Sequence, residues 1–322
     1  MKRRFLQILR EQPQGKFKKM KIALLGNSQL AVSTAWGLSQ LESAREIVFV
    51  SDAAAKKNRF VPPKEGAPGS LRDLVEANAL SGSDAAISFS DSLEDLSGTD
   101  VVVLMPPMGQ YGFRSPQAAK TTGIALTRRF VSGIQQHALD AKILVAMSPT
   151  NYIASWIHQT LGGGQIIGLG NGAATAHLTA EIAKRVEVSV QDVMALAIGS
   201  DQETYPLPQY CRVNGIPLAQ LMSEADIESL CEAVAQRCPY TANDEWTLVS
   251  YILQVVSAIA LDKRRVMSVG THISAGETSV YLNVPAQVGH DGVASIVPLE
   301  LTEKQREQFR QLVVQSAEDQ SL

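Results

Sequence analysis

Cysteine is nearly absent. Cys211, Cys231 and Cys238 are the whole complement, an odd number without C-x-x-C spacing. A disulfide framework and a thiolate metal cluster are thereby excluded, and reduced thiols fit a cytoplasmic protein without a bound metal. No uninterrupted apolar run approaches the about 20 residues that a bilayer-spanning helix needs, so no membrane association is expected. Neither sign of charge is in excess: the net charge is −3, which gives no general attraction to nucleic acid. No internal repeat is present.

What remains is length, and patterning typical of a soluble globular chain. At 322 residues two domains are expected, because single cores stop growing near ~250–300 residues. The chain is organised around Lys21–Leu41. Lys21–Leu25 is a short apolar run ending at Gly26, which reads as a buried parallel strand. Beyond it Leu30, Thr34, Leu38 and Leu41 recur at helical spacing. Strand, glycine turn and helix form the first unit of a dinucleotide-binding βαβ fold. The turn is Gly26-Asn27-Ser28-Gln29-Leu30-Ala31, against a fingerprint of G-x-G-x-x-G/A. Gly26 supplies the tight turn and Ala31 the close helix packing, while Ser28 carries a Cβ where a pyrophosphate should approach backbone. A bound NAD or NADP and a purely structural βα turn both fit these residues.

Residues 1–20 are basic and read as an arm packing on a neighbouring subunit, as a disordered tail, or as upstream of a start at Met20. Arg45–Asp52 is the second strand, and Ser51 and Asp52 compete for the acidic place that holds the adenosine ribose. Lys56, Lys57 and Arg59 follow, so either a 2′-phosphate partner or a solvated basic helix start is open. Further strands are expected at Ala85–Ser88, Val101–Leu104, Lys142–Met147 and Ile166–Ile167. Helices are expected at Leu71–Leu80, Gln117–Leu139 and Tyr152–Leu161, and 108–116 is a glycine-containing mobile loop. This alternation argues a doubly wound parallel sheet over 21–169. After Gly170 the pattern changes to α+β: helices at Ala173–Arg185, Ile227–Arg237, Glu245–Val266 and Thr302–Gln315. Strands are expected there at Val193–Ile198, Tyr281–Val284 and Ala286–Val288, the last two on either side of Pro285.

KIALLGNSQLA, TDVVVL, AKILVAMSPTN, IIGLGN, VEVSVQDVMALAIG and the tail VYLNVPAQVGHDGVASIVPLELTEKQREQF together resemble the L-lactate/malate dehydrogenases, in a divergent L-2-hydroxyacid dehydrogenase branch. The resemblance runs from about Met20 to the C-terminus. It implies an α/β fold: a Rossmann-type doubly wound parallel sheet followed by an α+β C-terminal domain over 170–322. It also implies an NAD(P)-dependent oxidoreductase acting on a small 2-hydroxy or 2-keto acid, assembled as a dimer or tetramer. The family reaction needs a histidine to take the hydroxyl proton, an aspartate to orient it, and an arginine three residues beyond that aspartate to fork the substrate carboxylate. A second arginine on a closing loop polarises the carbonyl.

Carried across, the aspartate falls on Ala174 and the helix arginine on His177. The histidine's G-E-H-G-type turn reads Gly199-Ser200-Asp201-Gln202. The asparagine of the S-N-P motif becomes Ser148, and the threonine-alanine-glycine bend becomes Met105-Pro106-Pro107. Arg114 alone is placed for the loop arginine. The expectation is therefore a degenerate or strongly altered family member. The alternatives are an active oxidoreductase with re-sited groups, using Arg114, His177 and Asp201, or a non-enzymatic sensor or oligomer partner. Asp201 and Glu203 read as exposed loop acids unless recruited as a base. His137, His158 and His290 read as solvated or capping residues, and His272 as a strand residue without a catalytic role.

Overall fold

The computed structural model describes residues 19–26, 29–51, 69–106, 115–170, 172–236, 245–275 and 278–321. The basic arm to residue 18, Asn27, Ser28, Asp52, Lys56, Lys57, Arg59, Arg114 and Cys238 lie outside them.

The amino-terminal half alternates strand and helix: β1 (Met20–Leu25), α1 (Gln29–Ser39), β2 (Ala44–Val50), α2 (Leu71–Ser81), β3 (Ala86–Ser90) and β4 (Val101–Leu104). It continues through α3 (Pro116–His137), β5 (Lys142–Val145), α4 (Thr150–Leu161) and β6 (Ile166–Gly168). These strands lie parallel in the order β3-β2-β1-β4-β5-β6. Each central strand feeds both faces. Ile22 and Leu24 enter the cluster beneath α1, while Ala23 and Leu25 enter the one beneath α3 and α4. That two-sided burial is why the strands read as unbroken apolar runs rather than alternating ones.

The second half begins with α5 (Gly172–Val186), β7 (Val193–Met194), β8 (Ala197–Gly199), β9 (Thr204–Pro206), β10 (Arg212–Val213) and β11 (Ile216–Pro217). Then come α6 (Glu224–Ala235), α7 (Glu245–Ala260), β12 (Arg265–Ala275), β13 (Thr278–Gly289), β14 (Gly292–Ile296) and α8 (Glu303–Gln320). Its strands extend the first sheet antiparallel: Gly270 of β12 pairs with Gly168 of β6, and β13, β8 and β9 follow. A separate antiparallel sheet has the order β11-β10-β7.

Three sequence expectations change. The strand expected over Val193–Ile198 is two strands in different sheets, because β10 pairs with residues 193–194 while Gly199 pairs with Asn283 of β13. The helix expected to reach Val266 stops at Ala260, and Val266 lies in β12. Lys263 N–H closes the helix on the Ala258 carbonyl, and Asp262 and Arg264 take positive φ, so the chain turns before it re-enters the sheet. The two strands around Pro285 are one. Tyr281 turns its backbone groups toward Gln320, and the Pro285 carbonyl accepts from Val297, so these alternate positions face away from β12. A missing N–H at Pro285 therefore costs no bond to β12.

Candidate active site

The carboxyl ends of β1, β4, β5 and β6 and the first turns of α1 and α5 converge, as at the switch region of open α/β sheets. Gly26 ends β1 with φ +141, and a Cβ there would sit 2.4 Å from the Met105 carbonyl oxygen. Met105 N–H extends the β1–β4 ladder to the Leu25 carbonyl, so the backbone of β4 closes over the glycine and no side chain fits. The N-terminus of α1 follows at Gln29, and the first amides of a helix are donors of the kind that hold an anion. Leu30 is half-buried beside it, and Ser51 is buried just past the end of β2, with its N–H on the Ser90 carbonyl.

Ser148 is half-buried at the β5–α4 junction. Pro149 stands at the N-cap of α4 and offers no side-chain cap. The orphan amides are met from 50 residues away: Asp201 Oδ1 accepts from Asn151 N–H at 2.9 Å and Oδ2 from Tyr152 N–H at 2.8 Å. Asp201 is thus no exposed loop acid. The sequence shows an acid between Ser200 and Gln202 but not the helix end that the turn folds onto. Burial pushes its carboxyl up to about 6, against the downward pull of these helix amides, and the nearby Asp319 carboxylate adds to the rise. The N-terminal end of a helix favours the anion, yet desolvation wins.

The other face comes from α5. Gly172 lies under the Tyr251 ring, where a Cβ would come within 2.3 Å of the ring edge. Tyr251 Oη donates to the Ser268 carbonyl, and Ser268 Oγ to the Ala197 carbonyl, which fixes α5 and α7 against the strand leading to Asp201. Ala174 and His177 are half-buried on α5, and three-residue spacing puts them on one face. Ser148 and Asp201 meet through α4, and His177 belongs to a helix packed against β8 and β9.

Sequence reasoning missed three groups. Asn151 and Asn283, both fully buried, aim their side-chain oxygens at Gly270, where a Cβ would lie 2.3 Å and 3.2 Å from them. Lys120 of α3 pairs with Asp319 at the end of α8 and lies over the Tyr152 ring at 4.6 Å. The third is an imidazole pair, His158 with His272. None leaves a local signal, since each joins residues far apart in sequence. Among the described residues no group of His, Cys, Asp or Glu could hold a metal ion.

No family model matches the chain. In sequence it is similar to malate dehydrogenase from Thioalkalivibrio sulfidiphilus, at 26% identity over 303 residues covering 90% of this chain and 95% of that one. The malate dehydrogenase of Bacillus pumilus is 27% identical over 303 residues, covering 91% of this chain and 94% of its own. The lactate dehydrogenase of Eimeria maxima, solved with NADH and oxamate, has the same fold, with a TM-score of 0.80 at 20% identity, covering 96% of this chain and 95% of that one.

Proposed function

The chain belongs to the L-lactate/malate dehydrogenase family, and from that premise we propose that it is a member whose ordinary 2-hydroxyacid chemistry is lost or strongly altered. The observation that carries this reading is Asp201. It lies in the turn to which the resemblance assigns the family's proton-accepting histidine, and both of its oxygens accept from the first amides of α4. Losing a positioned general base costs ~10²–10⁴ in rate. Ala174 offers no carboxylate to orient an imidazole, and His177 cannot present the planar fork of an arginine to a substrate carboxylate.

The residues fit a nicotinamide dinucleotide better than they fit turnover. The Gly26 turn and the first turn of α1 would hold the pyrophosphate, and Ser51 would meet the ribose. Nicotinamide, when bound, supplies a hydride donor or acceptor. The chain's own contribution at the reacting end is Ser148, Pro106 and His177, which shape and orient rather than move a proton. This suits a dinucleotide- or metabolite-responsive sensor or an oligomer partner, working as a homodimer or homotetramer in the cytoplasm, where Cys211 and Cys231 stay free thiols.

One observation favours a second reading. An Asp201 carboxyl at about 6 is poised near neutrality, as a re-sited acid in an oxidoreductase acting on an unusual 2-hydroxy or 2-keto acid would be. Titrating the intrinsic fluorescence of Trp36, Trp156 and Trp246 with NADH and NADPH tests the proposal. Saturable binding of both, with a preference below about tenfold and no turnover across a 2-keto acid screen, supports it. Turnover that is lost in Asp201→Asn supports the second reading. Binding of neither nucleotide contradicts both.

A further inference from the structure

Away from the candidate active site, the carboxyl-terminal end of α4 meets the β12–β13 hairpin through a cluster of ring side chains. His158 stacks on His272, with centroids 4.5 Å apart and planes 15° from parallel. His272 and Tyr281 stand opposite each other in the β12–β13 register, and the Tyr281 ring lies 5.7 Å from each imidazole. Tyr281 Oη is 3.2 Å from His158 Nδ1, and His272 Nε2 is hydrogen-bonded to Ser279 Oγ.

The cluster is tied to the end of the chain. Tyr281 is fully buried, its N–H donates to Gln320 Oε1, and its carbonyl accepts from Gln320 Nε2, both at 2.8 Å. The side-chain amide of α8 thus stands where a neighbouring strand would pair. One residue earlier, Asp319 holds Lys120 of α3.

We propose that the His158–His272 stack is a proton-operated joint between α4, the β12–β13 hairpin and the C-terminal turn of α8. Two neutral imidazoles stack and share the Tyr281 and Ser279 hydroxyls. One proton places a charge against the face of the second ring, and a second proton sets two like charges 4.5 Å apart in a half-buried place, so the rings separate. Among the described residues the polar groups bonded to or stacked on the pair are few. On α4 it is His158 itself, on β12 His272, and on β13 Tyr281 and Ser279. Lys120 of α3 and Asp319 of α8, next to the Gln320 clamp, are engaged with each other. Among the described residues no carboxylate bonds either ring to hold its charge. Burial holds both imidazoles below the usual histidine range, and His272 adds to the effect on His158. Separation would free Tyr281 from His158, loosen the Gln320 clamp, and release α8 beside the turn that carries Asp201.

Amide hydrogen exchange at pH about 7.5 and about 5, corrected for intrinsic rates, tests this in the full chain. The joint predicts at least about tenfold faster exchange at the lower pH in the last turn of α4, in β12–β13 around His272 and Tyr281, and at the end of α8. His158→Phe keeps a ring that cannot be protonated, and it should abolish the acid-induced loosening. Unchanged protection in the native protein, or loosening that persists in His158→Phe, overturns the proposal. Should that variant fail to fold, NMR titration of the native histidines decides. Coupled titrations of His158 and His272, the second displaced to lower pH, support the joint, and independent titration of both near the ordinary ~6.5 overturns it.

Discussion

Asp201 answers two opposed demands with one side chain. The first amides of α4 need an acceptor, and the buried place that supplies it disfavours the charge. Its folded value of about 6 lies above the unfolded value of about 3.9, so the group binds its proton more tightly in the folded state. The stability this gives is fully present below the unfolded value and is lost as pH rises through about 6, a span worth roughly 3 kcal/mol. Asp201→Asn should therefore flatten that part of the urea-denaturation profile between pH about 4 and 7. A native profile that matches the variant's would show that the carboxyl does not titrate there. The residues around it allow a second trial. On the proposed reading Ala174→Asp, His177→Arg and Ser200→His, the last in the turn beside Asp201, rebuild an acid, a fork and a base, and the triple variant should gain 2-keto acid reduction that no single change gives. Loss of a native oxidoreductase activity on any one of these changes would mean that the site is already in use.

At the scale of elements, helix ends and strand edges are held by distant side chains. The Gln320 amide meets both backbone groups of Tyr281, so Gln320→Ala leaves a buried N–H and C=O unpaired, a cost of about 2–5 kcal/mol in a urea titration. A loss below about 0.5 kcal/mol would show that α8 is held by its apolar face alone. The same scale marks where the sequence was readable. The strand at Val101–Leu104, Gly26 as a turn glycine and the helix following it were legible, because local pattern and burial agree there. The break between Met194 and Ala197 was not legible, since VMALAIG is uniformly apolar and only its pairing partners divide it. The helix expected over Glu245–Val266 ends at Ala260, where the charged run Asp262-Lys263-Arg264-Arg265 interrupts the apolar pattern and Asp262 takes a positive φ that its short polar side chain tolerates. In the candidate site the sequence offers Gly26, Ser51, Ser148 and His177 as candidates, but not what Asp201 touches, because its partners lie 50 residues away.

For the whole molecule, one sheet runs from β3 at one edge through β6 into β12 and β13, so the two halves of the chain share a backbone ladder. The unit carrying Gly26 and the unit carrying Ala174, His177 and Asp201 are thereby joined through one sheet. On the proposed reading, Asp201, Ala174 and His177 stand in the places of the base, the orienting acid and the carboxylate fork that the family's reaction needs. On that proposal a preserved fold here no longer supports the family's turnover. The direct measurement is the steady-state reduction of oxaloacetate, pyruvate and 2-ketoisocaproate with NADH by the full chain. A rate at least ~10³-fold below that of an ordinary enzyme is predicted. Turnover in the usual range of ~1–10³ per second would contradict it.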